Sequence, residues 1–516
     1  MKTFKNPILP GFYPDPSICR VGEDYYLVNS TFAYFPGVPI WHSRDLVNWE
    51  QIGHVLDRES QLPLEGTHHS GGIFAPTIRY HKGIFYMITT NIGCGGNFYV
   101  TATNPAGPWS DPIVLEEAAG IDPSLFFDDD GKAYYIGTKE KDKSISRYWG
   151  DNVIYVRELD LEQGKLVGEE HVVWEGSCRE TIWAEGPHLY KKDGYYYVMI
   201  SEGGTCHEHA ITIARSENLL GPYESFRCNP ILTHRHLGNH NDIQNVGHGD
   251  LVQTQNGDWW MVLLASRPYE GYYNMGRETF LVPVTWEDGW PIVNEGKGLV
   301  EEIGIAPNLP EFKVLPEDSC EHFMGDSLDH KWMALRGPKE SFCSLKAREG
   351  YLRLQLRAET IKEFATPSLV VRRQQHKDFN INTMMEFMPQ NESEVAGIVL
   401  LQNDAYHFRF EYIMDGQKTY IRLTKCEKGE DEIINEVPFQ GNKVYMKVIA
   451  TGQHLDFYYG VRPSEVNRLA GNIDATILST NKAGGFVGNC VGMYASSNGK
   501  ASQNYADFNW FEYSGR

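Results

Sequence analysis

A short motif recurs five times in the first half of this 516-residue chain, and this repeat limits the possible folds more than any other feature. Each copy reads as a strand, a turn such as Asp-Gly, Asn-Gly or Lys-Gly, and a second strand rich in aromatic and aliphatic residues, which is the pattern of a β-hairpin. The period of about 50 to 60 residues fits a four-stranded blade of a β-propeller. The copies begin at Asp15, Ala75, Asp122, Glu185 and His248.

The symmetry of a propeller brings equivalent residues of successive blades towards one axis. The five leading residues should therefore surround one central funnel, and three of them, Asp15, Asp122 and Glu185, are carboxylic acids. A hydrogen bond that caps a strand end would explain any one acid alone. Three acids in register favour a functional site.

The pattern changes after the repeats. A stretch from Ile305 to about Cys320 is punctuated by prolines and reads as a linker. Beyond it, segments such as Tyr351-Leu-Arg-Leu-Gln-Leu alternate apolar and polar residues, which is typical of a β-sandwich. We predict an all-β protein with a five-bladed β-propeller at residues 1–305, a linker at 306–322 and a sandwich of the concanavalin or jelly-roll type at 323–516.

Composition excludes several classes of partner. The net charge is −21, and no run of Lys and Arg interleaves with aromatic residues, so neither nucleic acid nor an anionic membrane is expected to bind. The nine cysteines form no Cys-x-x-Cys pair, which argues against a disulfide framework and a zinc site. The N-terminus has no apolar signal region and no apolar run is long enough to span a bilayer, so we predict a cytoplasmic protein.

Two carboxyl groups on opposite sides of a glycosidic bond can divide the work of hydrolysis between a general acid and a general base. Glu185 follows Trp183 and Ala184, and apolar neighbours raise the pKa of a carboxyl group, so Glu185 is the predicted acid. Asp15 lies between two prolines and is the predicted base. Asp122 is predicted to act through its charge, which would keep the acid protonated and orient the substrate.

The segment Asn6-Pro-Ile-Leu-Pro-Gly-Phe-Tyr-Pro-Asp-Pro-Ser, together with the starts of the third and fourth copies, resembles glycoside hydrolase family 43, and most closely its β-xylosidase branch with a C-terminal sandwich. The resemblance implies an inverting mechanism with Asp15 as base, Asp122 as the orienting and pKa-tuning residue and Glu185 as acid. Inversion needs room for a water molecule, so we predict a separation of roughly 6.5 to 9.5 Å between the Asp15 and Glu185 carboxyl groups.

The same resemblance extends to two further polar residues. Arg277 matches an arginine that contacts the sugar and the modulating aspartate, and the alternative is a surface ion pair with Glu278. His248 matches a histidine that often faces a hydrated cation, commonly calcium, or a water in its place, on the propeller axis. One imidazole with waters is a weak calcium site, because calcium prefers a full shell of oxygens.

Aromatic and histidine side chains complete the predicted substrate site. Phe32, Phe74 and Phe127 follow repeat strands and are expected either to stack on a sugar or to fill the blade core. Phe74 stands where β-xylosidase relatives carry Trp, which leaves the identity of the sugar open. Phe508 matches the aromatic residue that the sandwich pushes into the pocket, which would make a blind pocket that accepts only chain ends. His207, with its neighbour His209, is predicted either to line the mouth or to belong to a plain polar loop.

The resulting hypothesis is an exo-acting glycosidase that releases xylose from the non-reducing ends of β-1,4-xylooligosaccharides, with α-L-arabinofuranosidase side activity. One alternative makes the arabinofuranosidase activity the main one. Another is a noncatalytic carbohydrate-binding protein, against which the three acids speak, because binding alone needs no protonated carboxyl. The resemblance also implies a homo-oligomer, a dimer or a tetramer.

Overall fold

The computed structural model describes residues 2–177 and 180–516, and nearly all of the regular structure in them is β-strand. This agrees with the predicted all-β class. The eight cysteines in this part of the chain are free, and Cys178 lies outside the described residues. None of the helices in the described ranges has the length and apolar character needed to cross a membrane.

Five consecutive antiparallel sheets make up most of the first half of the chain. After β1 (Thr3–Lys5), the strands of the first sheet region are β2 (Ser17–Val21), β3 (Asp24–Val28), β4 (Tyr34–Phe35), β5 (Gly37–Ser43) and β6 (Glu50–Leu56). The second comprises β7 (Gly72–Ile73), β8 (Thr77–His81), β9 (Ile84–Ile92), β10 (Gly96–Ala102) and β11 (Ile113–Val114). The third comprises β12 (Ile121–Phe127), β13 (Ala133–Glu140), β14 (Asn152–Asp160) and β15 (Lys165–Trp174).

The fourth sheet comprises β16 (Glu185–Lys192), β17 (Tyr195–Glu202), β18 (Ala210–Ser216) and β19 (Glu224–Ser225). After a 3-10 turn at Arg235–Leu237, the fifth comprises β20 (Gln244–Gln253), β21 (Trp259–Ser266), β22 (Glu278–Glu287) and β23 (Trp290–Val293). Strand β24 (Ile303–Ile305) then pairs with β1, so the two ends of this half of the chain meet.

The inner strands of the five sheets form a closed ring. Each sheet follows chain order from an inner to an outer strand, except that β4 leaves the first sheet and β7 and β8 both pair with β9 in the second. Strand β2 lies next to β8, β8 next to β12, β12 next to β16, β16 next to β20, and β20 next to β2. Because the motif copies begin at these strands, their leading residues are brought to one end of the ring.

The second half forms two sheets that pack face to face. It begins with β25 (Cys320–Glu321), β26 (Ala334–Leu335), a 3-10 turn at Lys339–Ser341, β27 (Cys343–Ser344), β28 (Leu352–Gln355), β29 (Ser368–Arg373), β30 (Phe379–Glu386) and β31 (Val395–Asn403). It continues with β32 (Tyr406–Asp415), β33 (Lys418–Glu427), β34 (Glu430–Pro438), β35 (Lys443–Thr451), β36 (His454–Arg462) and β37 (Glu465–Asp474). It ends with a 3-10 turn at Thr476–Leu478, the helix α1 (Thr480–Ala483), β38 (Cys490–Ser496) and β39 (Tyr505–Gly515).

An eight-stranded sheet runs in the order β27-β28-β39-β30-β35-β36-β37 with β25 on β39, and a six-stranded sheet runs in the order β29-β38-β31-β32-β33-β34. Their inner faces bury one apolar core, in which Phe457 of the larger sheet contacts Phe408 and Phe410 of the smaller one. The alternation of apolar and polar residues along these strands produces that single buried face.

The two halves share structure at their boundary. Strand β26 of the second half pairs with β4 of the first, and a buried apolar cluster combines Phe12, Phe32 and Tyr34 with Val371 and Val487. The proline-rich segment between the halves therefore does not separate them into independent bodies.

Candidate active site

The five leading residues of the motif, Asp15, Ala75, Asp122, Glu185 and His248, line one cavity of about 420 Å³. Ala75 is the one member with no polar group. The remaining four bring three carboxyl groups and one imidazole to the wall of a single pocket, as the repeat predicted.

The backbone at these positions is unusual in the same way. Asp15, Asp122 and His248 have φ values of 51°, 52° and 46°, a region that non-glycine residues seldom adopt and that occurs preferentially at functional sites. In the fourth copy this conformation falls on Gly186, with a φ of 59°, so Glu185 stands one residue earlier than the sequence alignment of the copies suggested. A Cβ atom on Gly186 would lie 2.8 Å from the ring of His248, so glycine is required there.

Asp15 is held as an ionised carboxylate. Its Oδ1 lies 2.9 Å from Nη1 of Arg277, and its Oδ2 accepts a hydrogen bond of 2.5 Å from the Ser30 hydroxyl. Burial by itself raises the pKa of Asp15, but Arg277 and, to a smaller extent, His248 and Ser30 lower it, and the net shift is downward. Asp15 is therefore suited to act as a base.

Asp122 and Glu185 have the opposite tendency. Burial, followed by the charge of Asp15, raises the pKa of Asp122 to about 7. Burial, followed by the charges of Asp122 and Asp15, raises the pKa of Glu185 well above its usual value. Because these carboxyl groups interact, the pKa values observed on titration belong to the cluster of acids and not to one residue. The raised pKa favours the protonated form of Glu185, which suits this residue to act as an acid.

Arg277 is buried and faces the acids. Its side chain pairs with Asp15, whereas the sequence suggested contact with the modulating Asp122. The alternative ion pair with Glu278 is wrong, because Glu278 pairs with Arg267 at 2.7 Å. The Nε atom of Arg277 is buried without a hydrogen-bond partner, so it remains able to donate to a ligand hydroxyl.

Three phenylalanines form one apolar wall of the cavity. Phe32 and Phe74 were predicted there, and the third is Phe486, whose ring lies 5.8 Å from that of Phe32 and 5.9 Å from that of Phe74. Phe486 comes from the second half, in the loop between α1 and β38. The prediction that Phe508 supplies this ring is wrong, because Phe508 is fully buried in the core between the two sandwich sheets.

Two other predicted residues do not line the cavity. Phe127 lies at the far end of β12, where its ring stacks on His81 with 4.3 Å between centroids. His207 is absent from the wall, and its neighbours Thr205 and His209 line it instead. Burial lowers the pKa of His209 to about 3, so this imidazole is neutral, and its Nδ1 lies 3.1 Å from the Asn245 carbonyl.

Sequence reasoning missed several residues on the side of the third sheet. The cavity wall there includes Ile121, Thr138, Lys139, Glu140 and Asn152. Trp183 also lines the cavity and contacts the exposed ring of Trp149 at 4.6 Å. Trp149, which follows Tyr148, carries no signal of a functional role in the sequence, whereas the position of Trp183 two residues before Glu185 could have indicated one.

A second polar layer lies behind the acids on the ring axis. Arg79 of β8 reaches Asp250 of β20 at 2.8 Å, and its Nη2 lies 2.9 Å from Nδ1 of His188 on β16. Asp250 in turn accepts hydrogen bonds from Ser17 and Tyr190. A buried guanidinium thus supplies positive charge between the inner strands.

The residues around His248 do not by themselves form a calcium cage. Within the described ranges, the one group of His, Cys, Asp and Glu with suitable spacing for a metal is His407, Cys426 and Asp431 in the sandwich. Burial lowers the pKa of His248, so its neutral imidazole could offer one nitrogen. Calcium prefers six to eight oxygen ligands, so the protein atoms do not fit a directly bound ion.

Comparison with known proteins identifies both halves of the chain. Residues 4–291 match the model for glycosyl hydrolases family 43, and residues 320–514 match the beta xylosidase C-terminal concanavalin A-like domain. The chain is 49% identical to a xylosidase/arabinosidase of Butyrivibrio fibrisolvens, over 98% of each chain. It is 42% identical to a non-reducing end alpha-L-arabinofuranosidase of Bacteroides ovatus, over 99% of this chain and 95% of the relative.

A solved structure shows the same arrangement over the whole length. The xylan beta-1,4-xylosidase from Bacillus halodurans C-125 superposes with a TM-score of 0.93 and 37% identity, covering 99% of each chain.

Proposed function

This chain belongs to glycosyl hydrolase family 43, and we propose that it releases xylose from the non-reducing ends of β-1,4-xylooligosaccharides, with α-L-arabinofuranosidase activity as a side activity. As a member of the family it is an inverting glycoside hydrolase, not a noncatalytic binding protein. The substrate is proposed from the relatives, which include a xylosidase/arabinosidase and a xylan beta-1,4-xylosidase.

The observation that carries the mechanism is the opposite pKa shift of two acids in one cavity. Asp15, with its pKa lowered, takes a proton from a water molecule as that water attacks the anomeric carbon. Glu185, with its pKa raised, gives its proton to the glycosidic oxygen as the bond breaks. The products are a free sugar of inverted anomeric configuration and a shortened chain with a new hydroxyl. The carboxyl separation of roughly 6.5 to 9.5 Å that this requires stays a prediction.

Asp122 and Arg277 position these groups. The charge of Asp122 contributes to the raised pKa of Glu185, and Arg277 keeps Asp15 ionised. The unpartnered Nε of Arg277 is proposed to donate to a sugar hydroxyl. Phe32, Phe74 and Phe486 offer apolar faces for the C–H face of the sugar, and a wall closed by Phe486 favours removal of terminal residues.

The domain arrangement proposed from these features is a five-bladed propeller at residues 1–305, a linker at 306–322 and a pocket-closing sandwich at 323–516. The ring of five inner strands and the pairing of β1 with β24 support it. A calcium ion on the axis would have to be held by His248 and water, and metal analysis of the purified protein tests that proposal. A homo-oligomeric state is tested by light scattering.

An alternative substrate preference has its own support. Phe74 replaces the tryptophan expected in β-xylosidases, and a relative 42% identical to this chain is named as an arabinofuranosidase. The main activity could therefore be directed at α-L-arabinofuranosides.

One pair of experiments separates these proposals. Proton NMR of 4-nitrophenyl β-D-xyloside hydrolysis should show α-xylose first, and initial β-xylose would contradict inversion. The ratio of kcat/KM for 4-nitrophenyl β-D-xyloside and 4-nitrophenyl α-L-arabinofuranoside should favour the xyloside. A ratio in favour of the arabinoside would replace our main substrate by the alternative.

A further inference from the structure

A second cavity, of about 670 Å³, lies where the first half, the linker and the sandwich meet. It is larger than the active-site cavity and shares no lining residue with it. The first half contributes aromatic rings that include Trp41, and the sandwich contributes the adjacent arginines Arg372 and Arg373. Linker residues 314–318 form a further part of the wall.

Arg373 carries a buried charge that lacks a counterion. The residue is 2% exposed, and its Nε donates to the carbonyl of Phe12 at 2.5 Å. Both terminal guanidinium nitrogens are buried without a hydrogen-bond partner, and no carboxylate in residues 2–177 or 180–516 forms an ion pair with Arg373. The face of Tyr13, 4.2 Å from the guanidinium, compensates the charge in part. A buried cation without acceptors is costly, which indicates that a ligand supplies them.

Two neighbouring groups on the same wall also have unused donors. Arg372 pairs with Glu317 at 3.1 Å and donates to Gln375, but its Nε is buried without a partner. The indole N–H of Trp41 is likewise buried and unpartnered. Guanidinium and indole groups donate hydrogen bonds and accept none, so the complementary ligand must present acceptor oxygens.

The acidic residues of the cavity do not neutralise this wall. Glu317 is shared between Arg372 and Lys331, and its side chain is 48% exposed. None of the other four acids of the lining forms an ion pair with either arginine in the described part of the chain: Glu50, Asp318 and Asp329 are exposed, and Glu321 is partly buried. The cavity opens to solvent at the linker, since Leu315 beside it is 90% exposed. A ligand can therefore enter from that side and place its acceptors against the buried arginines.

We propose that this interdomain cavity binds a sugar that carries an anionic group, either a carboxylate or a phosphate. The arginines and the indole N–H bind the anionic oxygens, since guanidinium groups match the geometry of both anions. Trp41 and Trp49 line the same cavity, and the sugar would contact the small part of each ring that is exposed. The ligand is distinct from the neutral oligosaccharide proposed for the active site.

Isothermal titration calorimetry at constant ionic strength tests this site with four probes: sodium glucuronate, glucose 1-phosphate, inorganic phosphate and neutral xylose. The full chain carrying Glu185→Gln serves as the parent, so binding is measured without turnover. We expect glucuronate or glucose 1-phosphate to bind, and the tighter of the two identifies the anionic group. Arg373→Gln and Arg372→Gln should each weaken that binding about tenfold or more. The control Arg462→Gln, at an exposed arginine of the sandwich, should not change it.

Circular dichroism and Tm establish that each variant is folded. If Arg373→Gln does not fold, Arg372→Gln and Trp41→Phe carry the test, because Trp41→Phe keeps an aromatic ring and removes the N–H. The proposal is overturned if neither anionic sugar binds, if inorganic phosphate binds as tightly as both, or if folded variants of the arginines bind as well as the parent.

Discussion

Asp15 and Glu185 lie in the same cavity, yet their neighbours push their pKa values in opposite directions. Asp15 has a guanidinium and a hydroxyl on its two oxygens, whereas Glu185 is partly buried and lies near two other acids. Both side chains carry a carboxyl group, and the neighbours of each set its pKa. Substitution of the two acids should therefore change the kinetics in different ways.

Asp15→Asn should lower kcat at least ~10²-fold on every substrate, because no group then accepts the proton of the attacking water. Glu185→Gln should lower kcat by a similar factor on xylobiose but much less on 2,4-dinitrophenyl xyloside, whose leaving group needs no protonation. Steady-state kinetics on the two substrates measures the difference, with Asp130→Asn at an exposed turn as control. Equal losses on both substrates in Glu185→Gln would contradict its role as acid.

The pH dependence of kcat/KM should be bell-shaped. Asp15 must be ionised, and its lowered pKa keeps it so down to acidic pH. Glu185 must be protonated, and its raised pKa sets the alkaline limb. Asp122→Asn removes a negative charge that raises the pKa of Glu185, so the alkaline limb should move to lower pH, while overall activity falls.

The pH profiles of the wild type and Asp122→Asn with 4-nitrophenyl xyloside measure this shift. An alkaline limb that stays in place, or moves upward, would show that the charge of Asp122 does not tune the acid.

At the scale of elements, the loop between α1 and β38 completes a cavity that otherwise belongs to the first half. The amide of Phe486 donates to the Ser70 hydroxyl at 3.0 Å, and a Cβ atom on Gly488 would lie 2.5 Å from the Met275 carbonyl. These close contacts fix the loop against the first half and hold the ring of Phe486 beside Phe32.

Phe486→Ala and Phe508→Ala form a matched pair that tests which ring belongs to the pocket. Phe486→Ala should lower kcat/KM about tenfold or more with a small change in Tm, because it removes an apolar wall that the sugar contacts. Phe508→Ala should cost about 3–5 kcal/mol of stability, since it leaves a cavity in the sandwich core, and should leave kcat/KM unchanged below its Tm. Steady-state kinetics and thermal unfolding of both variants show which ring contacts the sugar. The reverse pattern would return the pocket role to Phe508.

At the scale of the whole molecule, the two halves are joined by buried contacts of several kinds. Arg336 of the second half donates to the Thr67 carbonyl of the first at 2.6 Å, and Asn274 of the first half bonds Gln453 of the second. With the shared apolar cluster and the pairing of β4 with β26, these contacts make a large interface that separation would expose.

We therefore expect a fragment of residues 1–318 to lose at least ~10²-fold in activity, because Phe486 is missing and the cavity loses its fixed geometry. Calorimetry should show a single unfolding transition for the full chain. Co-expression with a fragment of residues 319–516 should restore part of the activity. A soluble fragment of residues 1–318 with full activity would rule out a role for the sandwich in the site.

Much of this architecture was predictable from the sequence because its signals are local. Turn residues and alternating strands specify the sheets, and the repeat places Asp15, Asp122 and Glu185 on one cavity without knowledge of any contact. The spacing of the copies also located His248 and Ala75 on its wall. Contacts between residues far apart in the sequence could not be predicted in this way. The structure shows that Phe486, rather than Phe508, is the third ring of the cavity and that Arg277 pairs with Asp15.

The sequence by itself determined the all-β class, the division into two halves and the identity of the three acids, since the repeats and the residue types can be read directly from it. The tertiary structure decided how those acids ionise, because pKa shifts depend on burial and on charges from other sheets. It also decided the register at Gly186, where the ring of His248 excludes a side chain, and it buried Arg373 without a counterion. These properties arise between residues far apart in sequence, so no local pattern encodes them.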